Sequence, residues 1–307
     1  MAVHVVEPGL LTTIQDGGRW GFQHLGVPVA GPMDQVSYRL ANLLVGNSSS
    51  EAALEVTVVG PRLVFEEESV FAVVGAPFDL RLGGIPVSMN TSQLATAGQQ
   101  LSFGRCSRGA RAYVAVAGGF VVPITLGSRA THLLSRMGGL DGRALDTGDR
   151  LVLGQGMSET ARVGESRSCP FVIPDNGARV RVIAGPHNEL FGDDMFKQLC
   201  VSRYLVSSES DRMGYRLQGT PVEVSRKCDV ISSAVQVGSV QVLPSGQPII
   251  LMADHQTTGG YPQVATVISA DVPIVAQLAP SAWVEFEACD LQDAIRALIA
   301  QERALMN

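Results

Sequence analysis

The sequence predicts a mostly β protein, and three features carry that expectation: short β-branched runs, dense glycine punctuation and few helical periods. The runs lie at 63–65, 70–74, 112–116, 180–183, 249–252 and 264–268. Each has strand length and ends in turn residues, a pattern of barrels or sandwiches rather than of alternating βαβ units. The 33 glycines fit frequent tight turns.

Helical spacing is confined to three places. Between 34 and 46, Val36, Leu40, Leu43 and Leu44 recur at helical intervals, with Asp34 as the N-cap and Gly46 as the stop. A second helix is expected over about 188–200. A third begins at Asp290, where Leu291, Ala294, Ile295, Leu298 and Ile299 form one apolar face that closes the chain. At 307 residues the chain is long enough for two domains. The segment 155–170 is rich in Gly, Ser, Glu and Arg and lacks an apolar period, so it reads as a linker between domains at 1–160 and 170–307.

Composition excludes several classes. With 46% hydrophobic and 17% charged residues the chain packs a sizeable core. Neither a leader nor an apolar run near the roughly 20 residues that span a bilayer is present, so a cytoplasmic protein without a membrane partner is expected. The net charge of −6, with unclustered basic residues, argues against nucleic acid. Five scattered cysteines without a CxxC pair read as buried reduced thiols. The five histidines show no HxxxH or HxH spacing, so no metal site is expected. A GxxxxGK[ST] phosphate loop and a Rossmann glycine turn are both missing from the sequence.

Three polar segments concentrate chemistry. Thr12, Thr13, Gln15, Asp16 and Arg19 crowd a stretch bent by Gly17 and Gly18. This is either a hydrogen-bonded turn with an Asp16–Arg19 bridge or a ligand site. In the second segment Arg212, Gly214, Tyr215 and Arg216 lie in an extended stretch. Period two places Arg212 and Arg216 on one face, as a clamp for a carboxylate or phosphoryl group or as a solvated strand edge. The third follows the apolar run at 249–251: Asp254, His255, Gln256, Thr257, Thr258, Gly259, Gly260 and Tyr261 make a dense polar loop on a rigid element. There Gly259 and Gly260 would let backbone amides approach a ligand as an oxyanion nest.

These segments carry a resemblance. The stretch 12–19, Gly31-Pro32-Met33-Asp34, 41–47, Ala53-Leu54-Glu55, 113–119, Leu126-Gly127-Ser128-Arg129, 211–217 and 256–262 occur in the order found in the biotin-dependent carboxyltransferase family, also described as allophanate hydrolase subunit 2. The similarity covers nearly the whole chain. It implies two tandem cyclophilin-like β-barrel domains with a few short helices. A free-standing chain of this size is similar to the members that serve in 5-oxoprolinase, whereas the urea carboxylase version is fused to further domains.

The resemblance therefore implies one subunit of an ATP-dependent 5-oxoprolinase complex hydrolysing 5-oxo-L-proline to L-glutamate. The implied partners are 5-oxoprolinase subunits A and B, of the LamB/YcsF-like and KipI-like kinds. ATP is expected to bind with or by a partner. Covalent biotin is not expected on this chain, which lacks a Met-Lys-Met type sequence. Alternatives are a biotin-dependent carboxyltransferase acting on urea or a related amide, and a non-catalytic regulator of a kinase-inhibitor-like partner. The implied catalytic residues are Asp16, Arg212, Arg216 and Gln256. Gln15, Arg19, Tyr215, Thr257, Thr258, Gly259, Gly260 and Tyr261 would bind substrate. One departure stands out: family members usually read Gly-Ser-Arg-Ser-Thr where this chain has Ala130 between Arg129 and Thr131.

Overall fold

A computed structural model describes residues 1–154, 163–187, 193–222 and 230–306. Half of the expected linker, 155–162, and the start of the second expected helix, 188–192, lie outside the described residues. The chain divides into two compact units, one formed by 1–20 and 30–173, the other by 21–29 and 174–307.

The first unit contains β1 (Ala2–Glu7), β2 (Leu11–Gln15), α1 (Gln35–Leu44), β3 (Ala53–Thr57), β4 (Arg62–Phe65), β5 (Ser69–Gly75) and β6 (Phe78–Leu82). It continues with β7 (Ile85–Val87), β8 (Gln93–Ala95), β9 (Gln100–Cys106), β10 (Arg111–Val116) and β11 (Arg150–Val152). The strands form a six-stranded sheet, β11-β1-β4-β9-β6-β7, and a five-stranded sheet, β2-β3-β10-β5-β8. Register decides what each face of the second sheet does. Ile14, Leu54, Val114 and Val73 stand opposite one another across four strands. All four belong to a core that also takes Val3, Val5, Leu63 and Leu101 from the first sheet. Burying each such side chain contributes about 1.5–3 kcal/mol.

One residue out of phase, Thr13, Glu55, Tyr113 and Val74 form the neighbouring row. Side chains alternate faces along a strand, so this row points away from that core. It is buried all the same. Helix α1 lies against β5 and β10, and its Tyr38 meets Tyr113 edge to face with ring centroids 6.2 Å apart. The helix therefore covers this second, more polar face. Its start follows the sequence expectation, since the Asp34 carboxylate accepts from Ser37 N at 2.9 Å. It ends before Gly46, which takes a φ of 73°.

The second unit holds β12 (Gly177–Ala184), α2 (Asp193–Val201), β13 (Arg203–Val206), β14 (Gly214–Gln218), β15 (Ser233–Ala234) and β16 (Ser239–Val242). It ends with β17 (Pro248–Leu251), β18 (Thr258–Gly259), β19 (Gln263–Val267), α3 (Val272–Ala276), β20 (Trp283–Ala288) and α4 (Leu291–Met306). Seven strands close a barrel in the order β12-β19-β16-β17-β14-β13-β20. The ring is shut by parallel pairing of β12 with β20 over six residue pairs. The expected mostly β fold is thus present, with a closed barrel in this unit and the two-sheet arrangement in the other.

Two expectations need correction. Helix α4 begins where Asp290 caps it, but its large apolar residues do not seal the unit. Leu291, Ile295, Leu298 and Ile299 are exposed, while Ala294, Ala297 and Gln301 are half-buried and Leu305 is buried. At 100° per residue these last four share one stripe, so the helix packs through Ala294, Ala297, Gln301 and Leu305 and not through Leu291, Ile295, Leu298 and Ile299. The cysteines Cys106, Cys169, Cys200 and Cys289 are free thiols but half-buried rather than buried, and Cys228 lies outside the described residues. Helix α3 was not legible as a helix, because five residues give no periodicity to read.

Candidate functional site

In the first unit, β2 delivers Gln15 to the end of a strand and the chain then turns through Asp16–Gly17–Gly18. Asp16 Oδ1 accepts from Gly18 N at 3.0 Å and from Ser128 Oγ at 2.5 Å, and Oδ2 accepts from Arg129 N. Arg19 donates from Nε to Thr125 O and from Nη2 to Ala130 O, both at 2.9 Å. Gln15 Nε2 donates to Thr13 Oγ1 at 3.0 Å and to Thr131 O at 3.1 Å. A carbonyl can only accept, which fixes the orientation of that amide. All three predicted residues therefore grip one loop, 125–131, and they are brought together.

Their burial determines what they can do. Gln15 and Arg19 are 0% exposed and Asp16 is 5% exposed, with three donors already on the Asp16 carboxylate. They hold the loop; they offer a ligand almost no surface. Gln15 Oε1 and His132 Nε2 are buried with no hydrogen-bond partner among the described residues. Each such atom costs about 1–3 kcal/mol, so polarity is kept here against stability. Ala130 is 0% exposed and its N donates to Ser128 Oγ at 3.0 Å. The hydroxyl missing at this position would sit in the interior of the loop.

Sequence reasoning overlooked the polar row beneath. Glu55 Oε2 accepts from Tyr113 OH at 2.7 Å and from Met33 N at 2.8 Å, and Tyr113 OH in turn accepts from Asp34 N at 2.8 Å. Arg111 Nε lies 3.8 Å from Glu55 Oε1. Burial, and then the Glu55 carboxylate, push the Tyr113 phenol well above its ordinary pKa, so it stays protonated and donates. A carboxylate inside the otherwise apolar run Ala53-Leu54-Glu55-Val56 was the available signal.

In the second unit, Arg212 Nε and Nη2 donate to the two oxygens of Asp254 at 2.9 Å each. Both side chains are nearly inaccessible, 6% and 5% exposed. Backbone bonds reinforce the pair, from Asp254 N to Arg212 O at 2.8 Å and from Met252 N to Met213 O at 3.0 Å. The expected two-guanidinium face does not form: Arg212 points inward and Arg216 is exposed. The reason is local. Asp211 Oδ1 accepts from Met213 N at 2.8 Å and Gly214 N at 3.3 Å, making a turn, so strand alternation starts only at Gly214. Tyr215 is 2% exposed, with its hydroxyl 3.4 Å from Ala276 O.

The loop after β17 carries the accessible groups. Thr258, Gly260 and Tyr261 are exposed, and His255, Gln256 and Thr257 are half-buried. His255 Nδ1 lies 2.6 Å from Gln256 O; since that oxygen only accepts, Nδ1 carries the proton and Nε2 the lone pair. Burial lowers the His255 pKa, keeping the ring neutral at neutral pH. The expected glycine nest does not form. Neither Gly259 nor Gly260 takes a positive φ, and Gly259 pairs with Ser233 across β15 and β18. Its missing Cβ makes room for Gln241 Nε2, which a Cβ would meet at 2.8 Å.

Two β-rich units thus carry hydrogen-bonded polar loops at their strand ends. Residues 25–288 match the family described as carboxyltransferase domain, subdomain A and B, and the chain belongs to that family. Among its relatives, the 5-oxoprolinase C subunit of Escherichia coli is 38% identical over 299 residues, covering 97% of this chain and 95% of the relative. The Haemophilus influenzae protein of the same description is 38% identical over 294 residues, covering 96% and 93%. A crystal structure of the K. lactis urea amidolyase superposes with a TM-score of 0.91 at 31% identity over 99% of this chain. This chain spans 20% of that much longer protein.

Proposed function

We propose that this chain is one subunit of an ATP-dependent 5-oxoprolinase, which opens 5-oxo-L-proline to L-glutamate together with partner subunits A and B. The observation that carries the proposal is end-to-end similarity at 38% identity to free-standing relatives described as the C subunit of 5-oxoprolinase. An unstrained amide resists water, and phosphorylation of its carbonyl oxygen makes C5 a far better electrophile. One water then adds at C5, the C–N bond breaks with a proton passing to nitrogen, and a second water releases phosphate from the acyl phosphate. The balance is 5-oxoproline, ATP and two waters giving glutamate, ADP and phosphate. The sequence has no GxxxxGK[ST], so ATP is proposed to bind with or by a partner.

Within this reading the loop from Gln256 to Tyr261 and the outward guanidinium of Arg216 meet substrate, while Arg212 acts through Asp254. Gln15, Asp16 and Arg19 keep the 125–131 loop in place. Reconstitution tests the proposal: glutamate release from 5-oxoproline with ATP is expected only when this chain is added to subunits A and B. Full activity of the partners alone would make the chain a regulator instead. Biotin-dependent carboxylation of urea by the chain with a carrier would favour the second reading, which the 0.91 TM-score to the urea amidolyase keeps in play.

A further inference from the structure

We infer that Glu55 and Tyr113 are positioning residues for the Asp16 turn, acting through the backbone of Gly31 to Asp34. The inference deepens the oxoprolinase reading and rests on it for its kinetic arm.

The linkage can be followed atom by atom within the first unit. Glu55 and Tyr113 stand opposite each other on β3 and β10, so the sheet ladder fixes their spacing. Together they hold two successive amides, Met33 N on Glu55 and Asp34 N on Tyr113. The Asp34 side chain meanwhile caps α1 through Ser37 N at 2.9 Å and Ser37 Oγ at 2.6 Å. The short segment before α1 is thus anchored to a sheet on one side and a helix on the other. Gly31, two residues upstream of Met33, has a φ of 88° and abuts the Asp16 turn. A Cβ on Gly31 would lie 3.1 Å from Asp16 O and 3.2 Å from Gly18 N.

The Gly31 backbone is consequently the wall against which the Asp16–Gly18 turn rests. The turn in turn orients the 125–131 loop through Ser128 and Arg129. Displacing the wall shifts the Asp16 carboxylate relative to that loop, while the apolar core on the opposite face of the sheet stays filled.

Two measurements on the full chain test this. In Tyr113→Phe, hydrogen–deuterium exchange of peptides spanning 13–20 and 125–131 is expected to speed up about tenfold. In Val240→Ala, a core change on β16 in the second unit, the same peptides are expected to keep their wild-type rates. In the reconstituted complex, Tyr113→Phe is expected to lower kcat about 10- to 100-fold with KM within about twofold, as small displacements of a reacting arrangement do. Glu55→Gln retains an oxygen acceptor and is expected to stay within about threefold of wild type, whereas Glu55→Ala follows Tyr113→Phe. Unchanged exchange in Tyr113→Phe, or equal kinetics in Glu55→Gln and Glu55→Ala, overturns the inference. If the wild-type complex does not turn over 5-oxoproline, the functional reading fails, and the exchange arm still decides the positioning role.

Discussion

Asp254→Ala removes the carboxylate that accepts two hydrogen bonds from Arg212 in a setting where the two side chains are 6% and 5% exposed. Screening by water is small at that depth, so the discount applied to surface pairs does not apply. Breaking a buried pair by deleting one partner costs about 3–5 kcal/mol, most of it from the charge left behind. The loss is expected in urea unfolding as a lowered midpoint at constant slope. A double-mutant cycle separates the pair from its surroundings: Arg212→Met with Asp254→Ala is expected to be less destabilised than the sum of the single changes by about 1–3 kcal/mol. A loss under about 1 kcal/mol for Asp254→Ala, or strict additivity in the cycle, would refute the view that Arg212 is a strut for the His255 loop.

Three further outcomes follow from the same geometry. Gly138 has a φ of 69° and a Cβ there would sit 2.1 Å from Ala130 O, whereas at Gly148, with a φ of 92°, a Cβ meets nothing within 4 Å. Calorimetry should therefore show Gly148→Ala losing about 1–2 kcal/mol, the left-handed strain alone, and Gly138→Ala losing more. Leu54→Ala empties a core position and is expected to cost about 2–5 kcal/mol, against under about 1 kcal/mol for Ile295→Ala at 49% exposure on α4; equal losses would contradict the packing described for α4. His255 has its folded pKa depressed by burial. Its contribution is complete above the unfolded value of about 6.5 and fades as pH falls toward the folded pKa, because the unfolded chain takes up the proton first. His255→Gln should accordingly flatten the decline of the urea midpoint between pH 7.5 and 5.5, and an unaltered slope would remove this role.

Local patterns were enough for much of the fold. Strand runs such as 70–74 and 112–116 appear within β5 and β10, because a β-branched segment bounded by glycine has few other ways to bury itself. Asp34 and Gly46 bound α1 correctly because capping needs only neighbours in sequence. The family was legible from ordered motifs. Period two failed at Arg212 because the Asp211 turn interrupts the strand, and amphipathic spacing failed at α4 because it shows which side chains share a face, not which face meets the domain.

What the sequence by itself determined, then, is composition-driven and local: a β-rich chain, its capped helices, and the polar segments around Asp16, Arg212 and His255. Only the tertiary structure decided that Gln15 and Arg19 face inward onto the 125–131 loop, that Arg212 pairs with Asp254 forty-two residues away, and that Glu55 and Tyr113 pin the segment before α1. These contacts join residues far apart along the chain, and their partners are chosen by strand register and sheet order. Both are settled by the packing of the whole unit, so no window of sequence contains them.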